Sequence, residues 1–253
     1  MISVVIIGGG NVATHLFKAL NPNPFVEVKQ WFSRTLEVIK PFSKQTIITN
    51  DLKALIWADI YILAVSDDSI KTVSEQLPFK DRLVAHTSGS ASVHEIDQKQ
   101  ERGVFYPLQT FSKTTEVDFS TIPICIEALD KKSYALLKSL AEAIGSPWYK
   151  LSTEQRQILH VGAVFVNNFV NQLYRIAHEI VDVNQIDFDI LKPLILETAQ
   201  KVQHVSPYMA QTGPAKRNDI KTIKRHLKHI EKEEHKIIYE LLTNSIKNTH
   251  GQR

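Results

Sequence analysis

Apolar positions recur with two different periods along this chain, and the change of period divides it. In the first part, short apolar runs alternate with segments of helical spacing. The β-branched run Ser3–Ile7 is followed by Val12, Ala13, Leu16, Phe17 and Leu20 at helical intervals, until Asn21-Pro22-Asn23-Pro24 ends the pattern. Val26–Phe32 reads as a second strand. Residues 59–65 read as a third, almost wholly apolar, as in a strand buried on both faces of a parallel sheet. Leu83–His86, Val104–Tyr106 and Ile122–Ile126 give a fourth, fifth and sixth. Strands alternating with helices imply βαβ units, and right-handed crossovers make a doubly wound sheet the expected α/β architecture.

From Lys131 the texture is helical. Leu136, Leu137, Leu140, Ala141 and Ile144 mark a helix stopped by Gly145, and Ser152-Thr153-Glu154-Gln155 has the form of a capping box. The helix it opens is expected to run to about Val183. Val161, Val164, Phe165, Phe169, Leu173 and Ile176 leave it apolar on most sides, so it is expected to be buried, partly by a second subunit. Further helices are expected around Ile190–Val205 and within 219–247. The chain therefore divides into an α/β domain over residues 1–150 and an all-helical domain over 151–253.

The first strand ends in Gly8-Gly9-Gly10-Asn11-Val12-Ala13. In the form Gly8-x-Gly10-x-x-Ala13, one glycine makes the tight turn, the next lets backbone approach a pyrophosphate, and the small third residue lets helix pack on strand. The helix start then offers N–H groups and a positive dipole end to the anion, so Gly8, Gly10, Asn11 and Val12 are the expected phosphate contacts. This makes the sheet Rossmann-like. After the second strand an NAD enzyme normally presents a carboxylate to the ribose, ~20 residues beyond the glycines. Here Ser33-Arg34-Thr35 stands instead. A guanidinium pairs with a 2′-phosphate and the hydroxyls add donors, so the expected cofactor is NADP. The third strand leads into Val65-Ser66-Asp67, expected beside the ribose and nicotinamide, with Asp67 and Asp68 also able to cap the helix that follows.

Composition narrows the function without naming it. The 253 residues are 43% hydrophobic and 23% charged, which is enough apolar material for a real core. With 30 basic against 27 acidic residues the charge is too balanced to argue for nucleic acid. No run reaches the ~18 apolar residues of a membrane span, and no secretion signal opens the chain, so a cytoplasmic location is expected. The single cysteine, Cys125, excludes an internal disulfide.

Hydride transfer needs a polar pocket and a proton source beside the nicotinamide, expected in a cleft between the domains. His86 ends the fourth strand with Ser88 just beyond it, Tyr106 ends the fifth with Gln109 in the loop after it, and His160, Asn167 and Asn168 lie on the long helix. His86 reads equally as a structural histidine, and His160 as a core one. The asparagines either bind a ligand or bond between helices. In Gly213-Pro214-Ala215-Lys216-Arg217 a turn holds two cations suited to a substrate carboxylate or phosphate, or else simply exposed. His226, His229 and His235 lie among lysines and read as a solvated face, so no metal is expected.

Taken together, the glycine turn, Ser33-Arg34, Ala64-Val65-Ser66-Asp67-Asp68, His86-Thr87-Ser88-Gly89, Tyr106-Pro107-Leu108-Gln109-Thr110-Phe111, Asn167-Asn168-Phe169 and Thr212–Asp219 resemble one family. It comprises NADP oxidoreductases assigned largely by fold, with a Rossmann-like domain and a helical C-terminal domain of unknown function. Its relatives are the pyrroline-5-carboxylate reductases and the 6-phosphogluconate/β-hydroxyacid dehydrogenase superfamily. The resemblance implies NADP binding and reduction of a small carbonyl or imine of oxo- or imino-acid type, with His86, Ser88, Asn168 and Lys216 as candidate catalytic residues. Two departures stand out. Tyr106 occupies a position where histidine is expected, and the lysine-bearing glycine-rich helix motif of β-hydroxyacid dehydrogenases is missing. The alternative is a non-catalytic NADP-binding or sensing protein. The expected partners are a small anionic substrate and a second copy of the chain, joined through the helical domain, with neither nucleic acid nor membrane involved.

Overall fold

The structure, a computed structural model, describes residues 1–112 and 115–250. Eight strands form one sheet: β1 (Ile2–Ile7), β2 (Val26–Phe32), β3 (Ile47–Thr49), β4 (Ile60–Leu63), β5 (Leu83–His86), β6 (Glu101–Pro107), β7 (Ile124–Ala128) and β8 (Trp148–Lys150). Their order is β3-β2-β1-β4-β5-β6-β7-β8. The first six are parallel to one another, β7 runs antiparallel to β6, and β8 runs parallel to β7. The order reverses between β1 and β4, which is the switch point where a doubly wound sheet opens its ligand crevice.

The expected Rossmann-like sheet and helical C-terminal part are both present. Strands β3 and β8 have no counterpart among the six read from the sequence. Each has only three residues, too few to display an alternation. The third expected strand shortens to β4, the fifth extends to Glu101–Pro107, and the sixth shifts two residues onward to Ile124–Ala128. Five of the six residues of β1 and all four of β4 are buried, because both faces of the central strands are covered.

One face of the sheet packs against α1 (Asn11–Leu20) and, after the short α2 (Leu36–Ile39), α3 (Ile70–Glu75) covers the other. Helix α4 (Lys131–Ala143) joins α1 through Leu137, Leu140 and Ala141, with Asp130 capping its first turn by accepting from Ser133 N–H at 2.8 Å.

The expected long helix is interrupted. Helix α5 (Thr153–Ala163) starts at the expected capping box, with Ser152 accepting from Gln155 N–H while the Gln155 side chain accepts from Ser152 N–H. A π-helical segment, Val164–Phe169, follows, and then α6 (Val170–Val183). The chain splits into two compact units inside that π-helical segment, the first being Met1–Asn167 and the second starting at Asn168. The second unit continues with α7 (Lys192–His204), α8 (Pro207–Ala210), α9 (Ile220–His229) and α10 (Glu233–His250). Within it Glu179 of α6 meets Arg175, Lys232 at 2.6 Å and His235 at 3.6 Å.

Two expectations change here. Val161, Phe165 and Val166 are more than half exposed in the single chain, so the helix is not buried by its own fold. His235 is buried instead of lying on a solvated face, because it tucks in beside Glu179. Among the described residues no helix is long and apolar enough to cross a membrane.

Candidate functional site

At the β1–α1 junction the backbone has no room for side chains at Gly8 and Gly9. Gly8 has φ +133°, and a Cβ there would run into the Ala64 carbonyl of the neighbouring chain segment after β4. At Gly9 a Cβ would lie 2.6 Å from Ser33 Oγ, whereas at Gly10 it would meet nothing within 4 Å. The turn is therefore closed on its protein side and open at Gly10. Helix α1 begins directly after Gly10 with no side-chain cap and no acidic residue in its first turn, leaving its dipole and leading N–H groups to an anion. A pyrophosphate fits such a cradle.

Trp31 of β2 backs this turn. Its buried indole N–H donates to Gly8 O at 2.7 Å while its ring stacks on Phe17 at 4.7 Å. The side chain of Asn11 is engaged elsewhere. Its amide donates to Phe111 O at 2.8 Å, and His15 Nε2 lies 2.8 Å from Ser112 O, so α1 ties down the segment that follows β6. Ser33 is buried against Gly9 and bonded to Thr35, donating to its carbonyl at 3.0 Å and accepting its N–H at 3.3 Å. Arg34 and Thr35 are exposed at the end of β2, and Arg34 has no ion pair or hydrogen bond among the described residues.

Beyond β4, Val65 is half-buried and Ser66 is exposed with its hydroxyl 2.8 Å from that of Ser69. Asp67 and Asp68 are not caps. They lie in a 3-10 turn, Asp67–Ser69, that Ser66 precedes, Ser69 holds the cap position of α3, and Asp67 accepts instead from the Ser90 hydroxyl on the β5 loop.

That loop is tightly held. His86 is fully buried, with Nδ1 accepting Ser88 N–H at 3.2 Å and Nε2 donating to Ser92 O at 3.2 Å, a pattern that places the single ring proton on Nε2. Burial, and then the Arg156 charge, pull its pKa down to about 4. Both nitrogens are occupied by backbone, so His86 sets the loop and has no free nitrogen for a ligand. Ser88 Oγ likewise accepts from Ser90 N–H at 3.1 Å and Ala91 N–H at 2.9 Å.

The centre of this corner is a residue the sequence did not single out. Arg156 of α5 is 0% exposed. One terminal nitrogen donates to the carbonyls of Ser88, Gly89 and Ala91 at 3.0, 3.1 and 2.7 Å. The other pairs with Glu127 of β7 at 3.0 Å, which also accepts from Thr153. A planar donor fork suits such a set of carbonyl and carboxylate partners. No local signal marks it, since three of its partners lie more than sixty positions away.

Beside it, Tyr106 Oη lies 3.0 Å from His160 Nδ1. Both close on Gly89, where a Cβ would stand 2.5 Å from His160 Nδ1 and 2.8 Å from Tyr106 Cζ. The first unit thus gathers Asp67, His86, Ser88, Tyr106 and His160 into one corner, with the glycine turn farther along the sheet edge. Asn168 and Lys216 belong to the second unit. Asn167 and Asn168 are exposed, and Lys216 Nζ donates to Gln211 O at 2.8 Å in the turn made by Gly213 at φ +101°. Asp219 caps α9 by accepting from Thr222 N–H at 3.0 Å.

Among solved structures, a "putative NADP oxidoreductase" from Bacteroides fragilis shares 36% identity over 98% of each chain, with a TM-score of 0.86. The chain belongs to that protein's family. Other members of the wider fold are far in sequence. The reductive aminase from Aspergillus terreus, solved with NADPH and ethyl levulinate, is 10% identical over 99% of this chain and 95% of its own, with a TM-score of 0.77. The 1-pyrroline-5-carboxylate reductase from Streptococcus pyogenes is 16% identical over 99% of both chains, with a TM-score of 0.65. These two likenesses show the fold alone. A domain of unknown function, DUF2520, matches residues 122–246, and a search of curated proteins finds no match.

Proposed function

We propose that the chain is an NADP-dependent oxidoreductase that reduces a small carbonyl or imine compound, of oxo- or imino-acid type. One observation carries the cofactor half of this reading. The α1 N-terminus stands uncapped behind a glycine turn closed to side chains at Gly8 and Gly9, and an unpaired guanidinium, Arg34, closes β2 where an NAD site would carry a carboxylate. Backbone N–H groups of Asn11 and Val12 would hold the pyrophosphate, and Arg34 with Thr35 the 2′-phosphate. When bound, a dihydronicotinamide supplies a hydride to an electrophilic carbon. The protein's share is to fix that carbon, keep water out and deliver a proton.

The family relative from Bacteroides fragilis and the NADPH complex of the fungal reductive aminase support the same cofactor class.

Titration of NADPH and NADH by fluorescence tests the reading. Wild type is expected to prefer NADPH, and Arg34→Ala to lose roughly tenfold in NADPH affinity, the worth of one charge-assisted contact, with NADH binding unchanged. Equal loss for both nucleotides, or no loss, would remove the 2′-phosphate assignment. NADPH binding without oxidation by any of a panel of oxo- and imino-acids would make the chain a binding protein.

A further inference from the structure

Reduction of a carbonyl or imine requires a proton at oxygen or nitrogen as well as electrons at carbon. Two of the candidate donors are already engaged: His86 has backbone on both nitrogens, and Ser88 Oγ accepts two backbone N–H groups. Asp67 accepts from Ser90, and the two that remain, Tyr106 and His160, face each other.

Tyr106 is the penultimate residue of β6, at the carboxyl end of a parallel strand, and His86, which ends β5, pairs with Val104 two positions before it. With Arg34 at the end of β2 and the glycine turn at β1, a dinucleotide crossing the switch point extends towards the carboxyl ends of β4, β5 and β6. Tyr106 and His160 lie at that end. Gly89 makes their meeting possible, because any side chain there would push between them.

Chemistry gives the pair two states. Burial, foremost, with the neighbouring Cys125 and Asp67, pushes the Tyr106 hydroxyl up to about 12 against the opposing charge of Arg156, so the phenol keeps its proton. With His160 neutral, Tyr106 O–H donates to His160 Nδ1. With His160 protonated, Nδ1–H becomes the donor to Tyr106 Oη, and the phenolic hydrogen turns to another acceptor.

We propose that Tyr106 and His160 are the proton-delivering pair of this oxidoreductase, with the Tyr106 hydroxyl meeting the carbonyl oxygen or imine nitrogen of the substrate. The proposal rests on the NADP-dependent reading above. The Tyr106 O–H bond breaks as the substrate O–H or N–H bond forms. The Nδ1 proton of His160 passes to Tyr106 Oη, and neutral His160 is recharged from solvent. The electron pair arrives at carbon from the dihydronicotinamide.

The test reads charge beside His160 without requiring turnover. In full-length protein labelled with [13C]histidine, the His160 resonance is assigned by its loss in His160→Gln and titrated with saturating NADPH or NADP+. Only the oxidised nicotinamide ring carries a positive charge. If the pair meets the reacting end of the cofactor, that charge lowers the His160 midpoint relative to NADPH. Identical midpoints with the two nucleotides overturn the proposal. Tyr106→Phe, which keeps the ring, is expected to shift the midpoint of the nucleotide-free protein and leave NADPH affinity within about twofold. An unchanged midpoint overturns the pair. Failure of wild type to bind either nucleotide overturns the cofactor reading itself, a result distinct from both.

Discussion

At the β1–α1 end of the sheet edge, one continuous stretch of chain makes almost the whole site: strand, turn and helix start follow each other without a break. At the β5–β6 end, Ser88, Tyr106, Glu127, Arg156 and His160 come from four separate elements and meet only after the sheet has formed. The first end relies on a lack of side chains, and its tolerance is steric. The second relies on a buried cation holding carbonyls and a carboxylate, and its tolerance is electrostatic. A site made from one segment persists as long as its turn does. A site assembled from distant segments depends on every contact that aligns them.

The steric end should break hardest. Gly8→Ala places a methyl group into the Ala64 carbonyl at a φ of +133°, and on the order of 4 kcal/mol or more of stability is expected to disappear along with nucleotide binding. Urea unfolding and NADPH titration read both quantities, and a variant within about 1 kcal/mol of wild type that still binds NADPH would contradict this account.

Next comes the electrostatic end. Arg156→Met leaves Glu127 unpaired beside three carbonyls that have lost their donor, for a loss of roughly 3–4 kcal/mol. Adding Glu127→Gln removes the stranded charge and should recover a good part of that loss. Purely additive losses in the double variant would mean that the ion pair is not what orders this corner.

The smallest effect, and the one that separates the two ends most cleanly, depends on pH. His86 has its pKa lowered in the folded state to about 4, so the unfolded chain takes up a proton first as the solution is acidified. Its contribution is complete above about pH 6.5 and is lost as pH falls from there towards 4, by at most about 3 kcal/mol. His86→Gln should flatten that limb of the stability curve. An equally steep limb in the variant would place the acid sensitivity elsewhere.

These contrasts also explain what could be read from the chain in advance. The glycine turn was legible because steric rules act over a few consecutive residues, and the capping box at Ser152 was legible for the same reason. Asp67 was misread as a cap because its true partner, the Ser90 hydroxyl, lies on a different strand connection. His86 could be flagged but not assigned, since its role depends on which backbone groups fold back over its ring. Arg156 gave no sign at all. An arginine on the first turns of a polar helix looks solvated until strands β5 and β7 are brought to it. Strands β3 and β8 escaped because three residues carry no period.

Cys125 of β7 sits against Tyr106 in the floor of the same corner, 1% exposed, its thiol pushed up by burial to about 11. A thiol so placed is protonated and out of reach at neutral pH, and alkylating reagents need a thiolate they can touch. It is also the chain's single cysteine. The fold therefore supplies its own silent background for site-directed labelling: a cysteine introduced at an exposed position will react alone, and a dye or spin label placed there will report one site with nothing native to remove first.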